Sequence, residues 1–364
     1  MNQFSKTLAG SRREKGRGAT ANPASRFLAR HSEEIDDGWN STGDHSDEHS
    51  KPATELLPDR TVKLITTNQS PDIPFDRSIN PYKGCEHGCA YCYARPTHAY
   101  LDLSPGLDFE RKIFFKTNVR ERLTQELTRK NYECATIAMG TNTDPYQPAE
   151  KDKKVMREIL ETLLEWRHPL SIVTKGALIL RDKELLAELA KLQLVTVHVS
   201  VTTLDVELKT RLEPRTAGPA ARLKVIRELS DAGVPVGVLV APVIPFINDS
   251  EIEDIVRAAA DAGAIACRYI LLRLPGEVAA LFQSWLEVHY PLKTERVLNT
   301  VRDTRGGKLY DATWGRRMRG QGVFADLIAD RFAGALRRAG LENAAMPELR
   351  TDLFEPPGFQ ASLF

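Results

Sequence analysis

Beyond about Ser70 the chain alternates between short apolar runs and stretches whose apolar residues recur every three or four positions, the patterns of strands and amphipathic helices in turn. Arg77–Tyr82 is the first expected strand, running into a cysteine-bearing loop, and Tyr93–Leu101 is the helix expected after it. Lys112–Lys116 (KIFFK) is a further strand, followed by a helix over Val119–Lys130 with Leu123 and Leu127 on one face. Strand Ala135–Gly140 precedes helix Asp152–Trp166, in which Val155, Ile159 and Leu163 mark one stripe. Strand Leu170–Lys175 precedes helix Lys183–Leu192, strand Leu194–Val201 precedes a helix around Arg222–Ala232, and strand Pro235–Ala241 precedes helix Ser250–Ala262. Tyr269–Leu274 closes the series. The strand runs are continuous and β-branched, which indicates parallel strands buried on both faces. About six such units predict an α/β fold, an incomplete (β/α)6 TIM-like barrel over residues 71–285.

The flanks follow other patterns. Residues 1–70 read as an extension, expected to be partly disordered: the segment from Arg12 to Arg30 is basic, and that from Glu33 to Glu48 is acidic with no lysine or arginine. Two readings stay open. Either this is a solvated tail, or Arg12, Arg13, Arg17, Arg26 and Arg30 meet an anionic partner or fold back over the barrel, with Phe27, Leu28 and Trp39 as apolar handles. Residues 286–364 read as a mainly helical C-terminal extension. Within it, basic residues from Arg296 to Arg319 alternate with Tyr310 and Trp314, the make-up of a phosphate-and-base grip or of a solvated helix face. The helix expected over Val323–Ala339 would pack against the open side of the barrel.

Composition narrows the function classes. Lysine and arginine (50) nearly balance aspartate and glutamate (49), so global charge gives no argument for nucleic acid. No apolar run approaches the roughly 20 residues that span a bilayer, and no signal-peptide core follows the basic N-terminus. A cytoplasmic protein with no membrane partner is the expectation. An odd total of five cysteines suits a reducing compartment.

Three of those five stand within eight residues, as Cys85-x3-Cys89-x2-Cys92, while Cys134 and Cys267 stand alone. Thiolates so spaced can converge on one centre, either an iron–sulfur cluster or, with His87 or His98 as a fourth ligand, a structural zinc ion. In parallel α/β barrels the chemistry gathers at the C-terminal ends of the strands. Those ends carry Asn142, Thr143, Asp144 and Tyr146, then Lys175, then Ser200, then the stretch Ala241–Val243. A zwitterionic amino-acid moiety needs acceptors for its ammonium, which Asn142, Thr143 or Asp144 supply, and a cation for its carboxylate, which Lys175 supplies. Ser200 is a candidate for the carboxylate or a ribose, and the backbone of Ala241 and Val243 for an adenine edge. The plainer reading is that Asp144 only forms a turn before Pro145 and Lys175 only ends a strand.

The cysteine spacing, with Tyr91 before the last cysteine, resembles the cluster motif of the radical S-adenosylmethionine superfamily. The stretches GTNTDPYQPAEK (Gly140–Lys151), VTKG…RD (Val173–Asp182), SVTTLD…LEPR (Ser200–Arg215) and APVIPFIND (Ala241–Asp249) are similar to its spore photoproduct lyase-like branch, often described as DNA repair photolyase-like. The resemblance runs over about Ser78 to Leu274. It implies that Cys85, Cys89 and Cys92 hold a [4Fe–4S] cluster and that Thr143, Lys175 and Ser200 contact S-adenosylmethionine; with the strand-end candidates Asn142, Asp144, Ala241 and Val243, and with Tyr91, they make up the expected cofactor-binding set. It implies a reductant such as flavodoxin or ferredoxin, reductive cleavage to a 5′-deoxyadenosyl radical, and hydrogen abstraction from a substrate that includes nucleic acid among its candidates. Tyr91, Tyr146 and Arg215 are candidates for a catalytic part, with Tyr93 as a further relay and Glu213 near the same rim. One departure is visible: the hydrogen-donating cysteine of true spore photoproduct lyases has no counterpart in Gly140–Asp144. The rival reading from another class is a non-catalytic nucleic-acid-binding protein with a Cys3His zinc site.

Overall fold

A computed structural model describes residues 16–27 and 53–356. Ten strands arise in chain order: β1 (Glu55–Asp59), β2 (Thr66–Thr67), β3 (Arg77–Ile79), β4 (Tyr82–Lys83), β5 (Lys112–Lys116), β6 (Ile137–Met139), β7 (Leu170–Thr174), β8 (Val195–Ser200), β9 (Val236–Val243) and β10 (Ala266–Leu271). The main sheet runs β10-β9-β8-β7-β6-β3-β2, parallel throughout except for the antiparallel β2 at its edge. Six parallel strands in sequential order, β3, β6, β7, β8, β9 and β10, give the incomplete barrel that the pattern predicts. Ile137, Ile172, Val197, Val236 and Val238 are all fully buried in one core, which continues into the helices outside the sheet.

The structure departs from the expected series at KIFFK. β5 belongs to a separate three-stranded sheet, parallel to β1 and antiparallel to β4. Ile113 is fully buried there, so the apolar run was a sound sign of a strand, but hydrophobicity alone does not select a partner. Tyr93–Leu101 forms a tight 3-10 segment, Arg95–Leu101, with a proline at its start and a left-handed Asp102 at its end. The helix expected from Asp152 divides into Glu150–Lys153 and Val155–Glu165 at Lys154, whose φ is +54°. The buried Glu150 carboxylate then caps the second helix, accepting from Met156 N at 3.0 Å, where the helix dipole favours an anion.

Helices also form over Val206–Leu212, Val278–His289 and Thr294–Asp303. Val206–Leu212 starts where the Asp205 side chain accepts from Glu207 N and Leu208 N. The last helix, Val323–Arg338, lies against the edge strand β10 and helix Ile252–Asp261: Phe332 packs on Tyr269 at 4.8 Å between ring centroids, and Arg331 pairs with Glu253. Residues 16–27 fold back onto the barrel; Arg17 and Arg26 of the basic segment fall here, whereas Arg12, Arg13, Leu28, Arg30 and Trp39 lie outside the described residues. No helix among the described residues is long and apolar enough to cross a membrane.

Candidate active site

The loop after β4 carries the three thiols, and its backbone is tied to four separate parts of the chain. Gly84 turns with φ of +81°, where a Cβ would stand 2.9 Å from Lys112 O, so the turn requires glycine twice over. Cys85 N donates to Phe109 O at 2.8 Å, Glu86 N to the Gln147 side chain at 2.9 Å, and Ala90 N to Leu212 O at 3.0 Å. Gly18 presses on the loop from the N-terminal segment so closely that an added Cβ would meet Gly88 O at 1.6 Å.

Two buried ion pairs flank this loop. On one side Arg95, fully buried, donates to Cys89 O at 3.0 and 2.9 Å, to Pro105 O and Gly106 O, and pairs with Glu110 at 2.6 Å. The other Glu110 valences receive Gly18 N at 3.1 Å and Ala19 N at 2.8 Å. On the other side Glu213, fully buried, accepts from Arg222, from Tyr91 Oη and from Thr202 Oγ1 at 2.7 Å. Burial would raise the Glu213 carboxyl, but Arg222 and the Lys175 ammonium outweigh it and hold it at about 2.

Above the loop, at the C-terminal ends of the strands, lies a cavity of about 490 Å³. Cys85, Cys89 and Cys92 all line it. All are free thiols, pushed above their ordinary range first of all by burial. A cationic centre that binds thiolate reverses that cost. Lys175 lines the same cavity, its Nζ 5.9 Å from the Tyr91 ring centroid; it acts on Glu213 through space, but among the described residues its ammonium makes no hydrogen bond or close ion pair. Three thiols and a neighbouring free cation suit a thiolate-ligated cluster with an acidic ligand beside it. Among the described residues no three Cys, His, Asp or Glu side chains gather on a point that would hold one metal ion.

The other residues singled out by sequence fall into two groups. Tyr91, Asn142, Thr143, Asp144, Ser200 and Ala241 line the cavity with the thiols and Lys175. Several of their polar atoms are already engaged: Thr143 Oγ1 donates to Tyr82 O at 2.8 Å, and Ser200 Oγ to Ala241 O at 3.2 Å. Asp144 accepts from Thr174 Oγ1, Lys175 N and Tyr146 N at 2.7, 2.7 and 2.9 Å, with His87 Nδ1 at 3.3 Å. Burial would raise this carboxyl, but the His87 ring and these donors hold it at about 2. Asp144 thus joins the cysteine loop to the end of β7.

Val243, Tyr146 and Arg215 do not line the cavity. Val243 is buried and its carbonyl accepts from Leu272 N across the β9–β10 junction. Tyr146 turns into the core, because the turn closed by Tyr146 N on the Asp144 carboxylate sends its ring inward, and its carbonyl packs where a Gly176 Cβ would stand. Arg215 pairs with Glu86 at 2.9 Å and donates to Thr54 at 3.2 Å on the loop's outer side, and Glu213 pairs with Arg222 instead. His98 is no zinc ligand: it packs edge-on against Phe109 with Nε2 at 3.0 Å from Lys112 O, and burial holds it at about 4. Cys134 and Cys267 precede or begin their strands, at the opposite end of the barrel.

Arg273, Arg317 and Met318 also line the cavity; sequence reasoning missed Arg273 and Met318, and singled out Arg317 only as one of the basic residues between Arg296 and Arg319. Arg273 stands two residues past the end of β10, so the strand-end rule applied to the sixth strand would have found it. Arg317 and Met318 come from the loop after helix Thr294–Asp303, anchored because Arg317 pairs with Asp72 and the buried Arg305 donates to Arg316 O at 2.9 Å and Leu272 O at 2.9 Å. No local pattern announces that return.

The radical SAM superfamily model matches residues 79–259. An uncharacterized protein of Mycobacterium tuberculosis is 41% identical over 297 residues, covering 80% of this chain and 83% of that protein. An uncharacterized protein of Methanocaldococcus jannaschii is 26% identical over 245 residues, 67% of this chain and 87% of its own length. Among solved structures, spore photoproduct lyase complexed with dinucleoside spore photoproduct superposes with a TM-score of 0.58 at 17% identity, over 79% of this chain and 80% of that chain. A double mutant of that lyase with bound AdoMet and dinucleoside spore photoproduct superposes with a TM-score of 0.57 at 17% identity, over 79% of each. These likenesses establish the fold.

Proposed function

This chain belongs to the radical S-adenosylmethionine superfamily, and from that we propose that Cys85, Cys89 and Cys92 hold a [4Fe–4S] cluster beside which S-adenosylmethionine binds. The observation that carries this reading is the shared cavity: three thiols, those of Cys85 and Cys89 buried and that of Cys92 half-buried, and the Lys175 ammonium face one space at the strand ends. When bound, the cluster and S-adenosylmethionine supply one-electron cleavage of a sulfonium and a carbon radical that abstracts hydrogen. What remains is the work of the chain itself.

Lys175 offers its ammonium to the amino-acid carboxylate, while Asn142 and backbone carbonyls at the β6 end offer acceptors to the amino group. Tyr91 cannot ionise beside Glu213; burial and that carboxylate push its pKa upward, so it acts as a hydrogen-bonding wall under Lys175. Leu239, Ala241 and Pro242 give the apolar side for a flat adenine, and Ser200 a hydroxyl near it. The largely apolar wall formed by Leu239, Ala241 and Pro242 limits water beside a reactive intermediate. A flavodoxin- or ferredoxin-like reductant would deliver the electron, and a nucleic acid is the substrate class favoured by the basic, aromatic front of the cavity.

The test is anaerobic reconstitution of wild type and five cysteine variants. Cys85→Ala, Cys89→Ala and Cys92→Ala are each expected to lose the cluster's absorption and bound iron and sulfide, whereas Cys134→Ala and Cys267→Ala keep them. Stoichiometric zinc with no iron in the wild type would sink this reading in favour of the Cys3His alternative, with His87 as the remaining histidine.

A further inference from the structure

Among the described residues two cations that line the cavity, Lys175 and Arg273, make no close ion pair, and Arg273 stands apart from the residues proposed to hold the cofactor. Arg273 leaves β10 at the front of the cavity, where its guanidinium lies 5.3 Å from the Tyr93 ring centroid and 5.9 Å from that of Tyr310. Its one hydrogen bond is Nη1 to the Met318 thioether at 3.3 Å, a weak acceptor. Its Nε is buried with no partner. No carboxylate pairs with it among the described residues. The contrast with nearby arginines is informative: Arg317 is paired with Asp72, and Arg305 is spent on backbone carbonyls.

A guanidinium is a planar fork of five donors, and two ring faces leave that fork unused. Withholding acceptors from a half-buried cation is costly unless an anion arrives from outside. We propose that Arg273, clasped between Tyr93 and Tyr310, is the substrate's phosphate subsite, taking a phosphodiester of a nucleic-acid strand in a bidentate contact. The inference rests on the radical-enzyme reading and names the substrate class for that same cavity. A phosphodiester fits better than a lone carboxylate because the surroundings are aromatic and open: Tyr93 is 46% exposed, and Phe75 lines the same cavity. Such rings present π-faces to unstacked bases while the fork holds the backbone. The single positive charge of Arg273 also predicts one phosphate contact, hence a countable salt effect.

The experiment uses reconstituted full-length protein with a short fluorescein-labelled single-stranded oligodeoxynucleotide, read by anisotropy between about 50 and about 200 mM salt. Iron content is measured first in every preparation. Arg273→Ala is expected to bind at least tenfold more weakly, with the slope of log affinity against log salt smaller by about one. Arg273→Lys, which keeps the charge but loses the fork, should fall between the two, and Arg257→Ala on the outer face should match wild type. Wild-type affinity and slope in Arg273→Ala overturn the proposal. So does an iron-replete wild type that cleaves S-adenosylmethionine yet binds no oligonucleotide, an outcome that leaves the radical reading standing. A wild type that takes up no iron overturns both.

Discussion

The two sides of the cysteine loop treat charge in opposite ways. Behind it, Arg95 meets Glu110 and Arg222 meets Glu213, all four side chains buried and each acid saturated with donors. In front of it, Lys175 and Arg273 line the cavity with no close ion pair to a carboxylate among the described residues. Ion pairs closed within the chain fix geometry; cations left open await a ligand. Net charge hides this division, since lysine and arginine almost balance the acids over the whole sequence. The closed pairs also explain how a loop with few hydrogen bonds of its own is held: Arg95 grips Cys89 O, and Glu110 in turn seats Gly18 and Ala19 against the loop.

The largest effect should come from opening a closed pair. Removing one partner strands a buried charge, at a cost of about 3–5 kcal/mol. Glu110→Ala leaves Arg95 unneutralised and removes the acceptor of Gly18 N and Ala19 N, so thermal or denaturant unfolding should show a loss in that range. Glu213→Ala should do likewise through Arg222. Gly18→Ala sharpens the point, because its Cβ has no room beside Gly88 O and the N-terminal segment must lift while both pairs remain intact. That variant should bind iron but release it faster in air. A Glu110→Ala protein within about 1 kcal/mol of wild type would show that the pair is not what holds the loop.

The difference between the sides also marks what the sequence could disclose. The six parallel strands and the positions of Cys85, Cys89, Cys92, Thr143 and Lys175 were legible because periodicity and strand ends are local properties. Pairing is not local. KIFFK shows a strand without showing that it joins β1 and β4, and Glu213 gives no hint that it will choose Arg222 over Arg215. Tyr146 stands two residues beyond Asp144, yet that turn sends its ring into the core. Arg273 was within reach of the same strand-end rule that found Lys175, and was missed because the last strand was expected over Tyr269–Leu274, whereas it ends at Leu271 and leaves Arg273 beyond its mouth.

An open cation should respond to its ligand and leave the architecture alone. Lys175→Ala is expected to weaken S-adenosylmethionine binding by about 1.5–3 kcal/mol, the range for hydrogen bonds to a charged group. Isothermal titration of the reconstituted variant measures this directly, and its iron content should equal that of wild type. Unchanged affinity would return Lys175 to a plain strand end.

The smallest effect concerns the thiols on neither side of the loop. Cys134 precedes β6 and Cys267 begins β10, both at the end of the barrel away from the cavity, and burial raises them to about 11 and about 12. Replacing both by alanine should leave iron content and reductive cleavage of S-adenosylmethionine at wild-type values. A lyase that returns hydrogen to a product radical needs a weak X–H bond beside its substrate, and beyond the three proposed ligands no thiol among the described residues lines the cavity. Tyr93 comes nearest, but its hydroxyl donates to Thr141 O and its ring is covered on one face by Arg273. The expected outcome with a dinucleotide spore photoproduct is therefore S-adenosylmethionine cleavage under dithionite without catalytic release of thymine. Sustained thymine release by wild type would refute this, and its survival in the double cysteine variant would place the hydrogen source at a non-thiol group on the cavity wall.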